Sequence, residues 1–391
     1  MAVDGKFAVA VIGGGAAGMA ASAVAAEYPR RIVDGDGEDG GEGILCLERN
    51  DAPGRKLLAT GNGRCNLTNA ACSESKELLL FFRKIGVLTR LEEGGRFYPY
   101  SGQATAVRNS LYVEMKRRGV DLRCNSPVKS VRREERYFEI ETEGGEIFRA
   151  IALVLATGGK AGPQYGSFGD GYAFARSFGH SVVSPLPALV RMVCEEGQRH
   201  RLRALKGVRV KCEAALWIGV SAVGRASGEL QFTEDGLSGI CIFDLSRYMR
   251  MKGSQVCRVE LDFAPETEER MLINLLSDNR AASLSGVVPD KIAALIDSET
   301  KGNPRAAARM LKHMEFPVAG TKGWKDAQVT SGGVPLSEVN TGTMESKLIR
   351  GLFFAGEILD YDGACGGFNL NWAFATGLKA GRSALGSAAN A

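Results

Sequence analysis

Gly13, Gly15 and Gly18 stand at the spacing G-x-G-x-x-G within V-I-G-G-G-A-A-G, Val11 to Gly18, and that spacing answers three geometric needs of a dinucleotide site. A side chain on the first would block a tight strand-to-helix turn, one on the second would hold the backbone off a pyrophosphate, and one on the third would push the helix away from its strand. The helix then opens with unpaired N–H groups and the positive end of its dipole, so phosphate is bound without a charged side chain. Glu48 is the next residue with chemistry in view. It ends the apolar run I-L-C-L-E from Ile44, where a carboxylate can hold the ribose hydroxyls of an adenosine. A glycine- and acid-rich stretch, residues 34–43, delays it by about ten residues beyond the usual spacing.

These groups need a frame. Phe7 to Ile12 (F-A-V-A-V-I) reads as a buried parallel strand, and the small residues from Ala16 to Glu27 as a close-packed helix. A second strand, Ala152 to Gly159, ends in Ala156, Thr157 and Gly158, where the chain must turn sharply beneath a cofactor. A third, Leu352 to Glu357, leads through Gly366, Gly367, Phe368 and Asn369 to a helix over 370–385, giving a second donor-rich helix start. Between these landmarks residues 189–262 alternate with period two, as in Val208 to Ile218, Glu229 to Thr233 and Val256 to Asp262. From Pro265 to about Met314 the period becomes helical, with Met271, Leu272, Leu275 and Leu276 on one face. The expectation is an α/β chain whose nucleotide domain is split, 1–188 and 325–391, around a β-barrel-like insert (189–264) and a helical insert (265–324).

Composition narrows the class. A chain of 391 residues is long for one domain, and a net charge of +4 argues for neither nucleic acid nor membrane as partner. The nine cysteines are scattered, with no C-x-x-C and no Cys/His cluster, so no zinc site or disulfide framework is readable. No apolar run approaches the roughly 18 residues of a membrane span, and the first strand begins within a few residues of Met1. A soluble, cytoplasmic protein acting on a small molecule is expected; oligomeric state is not readable.

Six sequence blocks carry a more specific resemblance: G-R-K-L-L-A-T-G-N-G-R-C-N-L-T-N (54–69), G-R-F-Y-P-Y-S (95–101), F-T-E-D-G-L-S-G (232–239), V-T-S-G-G-V-P-L-S-E-V (329–339), T-M-E-S-K (343–347) and F-A-G-E-I-L-D-Y-D-G-A-C-G-G-F-N (354–369). With the glycine run they make the chain resemble the BaiN-like (YhiN-type) NAD(P)/FAD-dependent oxidoreductases of the glutathione-reductase-like FAD superfamily. The resemblance implies a discontinuous Rossmann-like FAD-binding domain with an inserted β-barrel and helical subdomain. It also implies roles. Gly13, Gly15, Ala16, Ala17 and Gly18 would hold the pyrophosphate, Glu48 with Arg49 the adenosine end, and the backbone of Val128 the adenine edge. Arg55, Lys56 and the run Thr60, Gly61, Asn62, Gly63, Arg64, Cys65, Asn66 would wrap the phosphates and approach the flavin. Ala156, Thr157 and Gly158 would turn under it, Gly356 and Glu357 would contact the ribityl chain, and Gly367, Phe368 and Asn369 would present N–H groups to flavin N1 and O2. The long stretch before Glu48 departs from the family pattern, as does Ile240-Cys241 where a Gly-Pro pair is usual.

Catalytic candidates stay open between two readings. Cys65 stands where disulfide reductases keep a reactive thiol, yet Cys72 is poorly spaced as its partner and no histidine lies near the C-terminus, so a packed thiol competes with a redox one. Arg64 reads as an anion anchor or as a loop-bracing ion pair. Tyr98 and Tyr100 read as proton donors or packed aromatics, and Asn371 with Trp372 as residues buried under the flavin. Asp170 reads as a helix N-cap or as a direct cofactor contact. The basic run from Arg199 to Lys211 reads as a solvated hairpin face or as a dock for the 2′-phosphate of NADPH. No second G-x-G-x-x-G follows a strand, so NAD(P)H would visit the flavin transiently. The expected function is an FAD-dependent oxidoreductase exchanging hydride with a small organic substrate, an enone-type reductase favoured. An amine oxidase of the aminoacetone-oxidase-like type and a non-catalytic flavin-bound sensor or nucleic-acid adaptor are the alternatives.

Overall fold

The computed structural model describes residues 3–27, 31–33, 39–278 and 280–389. They form two compact units, Met1–Leu186 with Val329–Ala391, and Pro187–Gln328.

The first unit is built on a parallel sheet whose central strands run Leu352–Phe354, Ile147–Leu155, Gly5–Ile12, Ile44–Leu47 and Asp121–Arg123 in spatial order. Leu352–Phe354, Ile44–Leu47 and the carboxyl halves of Ile147–Leu155 and Gly5–Ile12 are continuously apolar because both faces are covered, whereas the edge strand Asp121–Arg123 is half-buried. Ile12 is in register with both Leu155 and Leu47, and Leu155 with Phe354. Gly13, Glu48, Ala156 and Ala355 therefore leave the sheet at one carboxyl edge, the edge at which open α/β sheets bind ligands. The hairpin Val128–Glu134 and Tyr137–Thr142 continues the sheet antiparallel along the start of Ile147–Leu155.

The helix Ala16–Ala25 crosses the last helix, Phe368–Ala388, through small residues. A Cβ on Gly377 would come within 2.4 Å of the Ala17 carbonyl oxygen, and one on Gly381 within 2.2 Å of that of Ala21. The first helix stops at Ala25, short of the expected Glu27, and the last runs beyond 370–385 at both ends. Of the stretch 34–43, residues 34–38 lie outside the described residues, while Asp39–Glu42 pairs antiparallel with Arg31–Val33.

The second unit holds a closed six-stranded barrel in the order Met192–Cys194, Gly236–Gly239, Ser221–Phe232, Arg209–Ile218, Cys257–Asp262 and Met314–Thr321. Its last strand corrects the helical reading of 265–324. Helices Glu269–Asp278, Arg280–Ser285, Asp290–Thr300 and Pro304–Lys312 are followed by Met314–Thr321, in which Met314, Phe316 and Val318 alternate inward to the core. This strand, interrupted by Pro317, is overwhelmed in the sequence by the helical period before it. A second correction concerns the basic run: Arg199–Leu205 is a helix, and only Arg209 and Lys211 stand exposed on a strand, opposite the inward Cys212. Ile240-Cys241, the departure from the family pattern, starts the helix Ile240–Ser246 directly after Gly239. Among the described residues no helix is long and apolar enough to cross a membrane.

Candidate functional site

The three glycines differ in what surrounds them. A Cβ on Gly13 would lie 2.5 Å from the Ala156 carbonyl oxygen and one on Gly18 only 1.7 Å from that of Gly13. Those two are demanded by packing. Gly15 has nothing within 4 Å of its Cβ position and forms the N-cap of a helix with no side-chain cap. The uncapped donors thus face open space beside the one glycine that packing does not require.

Glu48 is buried. Its Oε2 accepts the Gly14 N–H at 2.8 Å, and its Oε1 accepts the backbone and side-chain N–H groups of Asn50 at 2.8 and 2.6 Å. The carboxylate is held rigid at the sheet edge. Arg49 stacks its guanidinium 4.7 Å from the Phe168 ring and pairs with Asp170. Asp170 occupies the N-cap position of Gly171–Ser177, but its side chain makes no cap hydrogen bond, because that carboxylate is turned to Arg49. Val128 is half-buried at the start of its strand, and Ser126 donates its N–H to the Glu48 carbonyl.

Arg55 and Lys56 already have carboxylate partners. Arg55 bonds Asp51 at 2.7 Å, and Lys56 Nζ bonds Glu357 Oε2 at 2.6 Å. Glu357 Oε1 in turn accepts from the Thr330 N–H and hydroxyl, both at 2.8 Å, while Thr330 Oγ1 accepts from the N–H groups of Lys160 and Ala161. This Lys56–Glu357–Thr330 network ties three distant segments together. Sequence reasoning gave Thr330 no role, although it lies in the quoted block 329–339. Gly356 has φ of 78°, and its Cβ would meet Ala17 Cβ at 2.8 Å.

The loop Thr60–Gly63 carries left-handed Gly61, Asn62 and Gly63, and Cys65 is left-handed as well. Cys65 is fully buried, and burial pushes its thiol up to about 12, against a weaker hydrogen bond from Thr60. Such a thiol is protonated and inert at neutral pH. Arg64 braces its loop, bonding Glu92 at 2.6 Å and stacking 4.1 Å from the ring of Tyr98. Tyr98 is buried beneath that loop, while Tyr100 is 64% exposed. Asn371 is buried, its Oδ1 accepting from the Thr68 hydroxyl at 2.7 Å, and Trp372 stacks on Tyr361 at 4.3 Å.

The final helix begins at Gly367 with no side-chain cap and no acidic residue in its first turn. Residues 364–370 are all half-buried. The Asn369 side chain braces its own loop, bonding both the N–H and the carbonyl of Gly363 at 2.8 Å, which leaves its backbone N–H as the group available to a ligand. Asn66 is 8% exposed, and its Oδ1, buried without a hydrogen-bond partner, lies 2.8 Å from the Cβ position of Gly367. An orphan acceptor of this kind costs about 1–3 kcal/mol unless a ligand supplies the donor.

A family model described as the HI0933-like protein Rossmann domain matches residues 72–383. The chain is 35% identical, over 96% of its length and 98% of the other's, to a 3-dehydro-bile acid delta(4,6)-reductase of Clostridium scindens. It is 28% identical, over 95% of its length and 96% of the other's, to a ribosomal RNA dihydrouridine synthase of Escherichia coli. Among solved structures it aligns with the 3-ketosteroid-delta4-(5alpha)-dehydrogenase of Rhodococcus jostii over 98% of both chains, with a TM-score of 0.53 and 14% identity, a likeness of fold. The protein is an FAD-dependent oxidoreductase of the Rossmann type. It belongs to the HI0933-like family, whose BaiN-like members its sequence blocks resemble.

Proposed function

We propose that this enzyme reduces a carbon–carbon double bond conjugated to a carbonyl in a small organic substrate, with NAD(P)H as the transient electron donor. The observation that carries the proposal is the 35% identity to a bile acid delta(4,6)-reductase, which extends over nearly the whole of both chains. Balance requires that NAD(P)H and a proton enter and NAD(P)+ leave, while the substrate gains hydride at one alkene carbon and a proton at the next. Bound FAD supplies the two-electron carrier between them.

The residues present fit that cofactor. The uncapped helix start at Gly15 offers its free donors to a pyrophosphate. Gly13, Ala16, Ala17 and Gly18 shape this cradle, and Glu48 supplies the buried carboxylate for the adenosine ribose. Lys56, Glu357 and Thr330 hold the loop and the Gly356 turn in fixed relation, so that the ribityl chain would be contacted by backbone at Gly356 rather than by the committed Glu357 carboxylate. Gly367, Phe368 and Asn369 would present the positive end of a 21-residue helix to the flavin ring. A helix start so placed would favour negative charge on the bound ring by about 0.3–2 kcal/mol.

A second reading has its own support in the 28% relative, whose name specifies a uridine of ribosomal RNA. The uracil alkene is also conjugated to a carbonyl, so the chemistry is shared and the substrate differs. The small molecule is preferred on charge. In the basic run Arg199 pairs with Glu196, Arg201 with Glu299, Lys206 with Glu234 and Arg209 with Glu229, so most of its cations are neutralised within the same unit. Anaerobic mixing with NADH or NADPH, followed by steroid enones, simple enones or undermodified ribosomal RNA, tests both readings. Rapid bleaching of the flavin by a nicotinamide and reoxidation by an enone is expected. Reoxidation by RNA alone moves the assignment to the second reading, and bleaching by an amine but by neither nicotinamide sinks the reductase.

A further inference from the structure

Arg96, on the strand Arg96–Pro99, is half-buried, and among the described residues its guanidinium has neither an ion pair nor a hydrogen bond. Its neighbours are provided for. Arg64 and Arg90 share Glu92, at 2.6 and 3.1 Å. Arg96 Nε instead lies 3.8 Å from the Cβ position of Gly366, the residue before the helix start at Gly367. Asn69 fixes that approach, since its Nδ2 donates to the carbonyls of both Gly94 and Gly366 at 2.9 Å. A free guanidinium, an uncapped helix start without an acidic residue, and the orphan Oδ1 of Asn66 thus border the same few residues.

This set of donors and acceptors selects a ligand edge. An unpaired arginine and a helix N-terminus both call for an anion or a carbonyl oxygen. A buried carbonyl oxygen with no partner calls for an N–H. The pyrimidine edge of an isoalloxazine ring presents a carbonyl oxygen, an N–H and a second carbonyl oxygen in a row, and on two-electron reduction negative charge gathers at its N1–O2 corner. We propose that Arg96 and Asn66 form the pyrimidine-edge site for the flavin, with Asn66 Oδ1 accepting from the ring N–H and Arg96 holding the charge of the reduced ring together with the helix N-terminus. Arg96 then sets the reduction potential, and the arginine of the block 95–101 has its role. The proposal rests on the flavin placement given above and is independent of which organic substrate the enzyme takes.

The test compares FAD-loaded wild type, R96M, R96K and the nearby surface control R90M, first without organic substrate and then in steady-state turnover of an enone with NAD(P)H. Midpoint potentials are measured by anaerobic equilibration with reference dyes, and affinity for sulfite, which adds to flavins whose N1–O2 corner lies near positive charge, is measured by absorbance. R96M is expected to shift the equilibrium constant for reduction by about tenfold, a fall of about 30 mV for a two-electron couple, and to weaken sulfite binding in parallel. R96K should fall between R96M and wild type, and R90M should match wild type. If R96M does not retain FAD, R96Q carries the same expectation. An unchanged potential and sulfite affinity in the neutral variant overturns the proposal, as does an equal fall in R90M. A raised KM for the enone with no change in potential also overturns it, by assigning Arg96 to the substrate. Absence of enone turnover with the potential shift present refutes the substrate reading alone.

Discussion

Gly15 and Gly18 lie three residues apart and should answer differently to the same substitution. A methyl group on Gly18 would sit 1.7 Å from the Gly13 carbonyl oxygen, so Gly18→Ala must displace the helix from its strand. Its FAD-free form should melt well below wild type, by about 1–3 kcal/mol of lost stability. Gly15→Ala has room in the FAD-free protein and should keep its melting temperature while losing about tenfold or more in FAD affinity, because the methyl group enters the space left for pyrophosphate. Thermal melts and FAD titrations of the two apoproteins separate these outcomes. Wild-type affinity in Gly15→Ala would remove the pyrophosphate from this loop.

At the scale of elements, the hairpin beside the parallel sheet is clamped by one carboxylate. Glu139 stands directly across from Arg149 on one side and Arg132 on the other. It bonds Arg149 at 2.8 and 3.0 Å and Arg132 at 3.1 Å, and these two guanidiniums hold its carboxyl below the ordinary value of 4.5. A depressed folded pKa stabilises the fold above the unfolded pKa, and the gain disappears as pH falls through the folded value. Glu139→Gln should therefore be less stable than wild type by about 1 kcal/mol at neutral pH. The deficit should shrink toward zero as the solution is acidified below 4.5. Denaturant melts at pH 7 and across the acid range check this; a deficit independent of pH would show that shape, rather than charge, is what Glu139 contributes.

Across the whole molecule, each unit has its own hydrophobic core, one centred on the parallel sheet and one filling the barrel and its helices. The second unit is a single continuous segment, Pro187–Gln328, whereas the first needs both ends of the chain. Residues 187–328 expressed alone should fold, giving a cooperative thermal transition and dispersed amide resonances, and should bind no FAD. A molten, non-cooperative product would show that the barrel depends on the rest of the chain.

Much of this organisation was legible in the sequence because it follows from local rules. The glycine run, the apolar strands and the alternation of the insert are written in neighbouring residues, and they led to a split Rossmann-type domain around a barrel. The barrel's closing strand was not legible, since Met314–Thr321 is recognised by its partners Cys257–Asp262 and Met192–Cys194 rather than by its own pattern, which Pro317 interrupts. The same holds for the partners of charges. Nothing local says that Lys56 meets Glu357, that Arg64 is neutralised by Glu92, or that Arg96 is left without a carboxylate. The sequence by itself determined which cofactor class this chain is built for, because backbone conformation and hydrophobic period are properties of adjacent residues. Only the tertiary structure decided which side chains remain free to act on it, because ion pairs and buried orphans are settled by contacts between segments 28 to 301 residues apart.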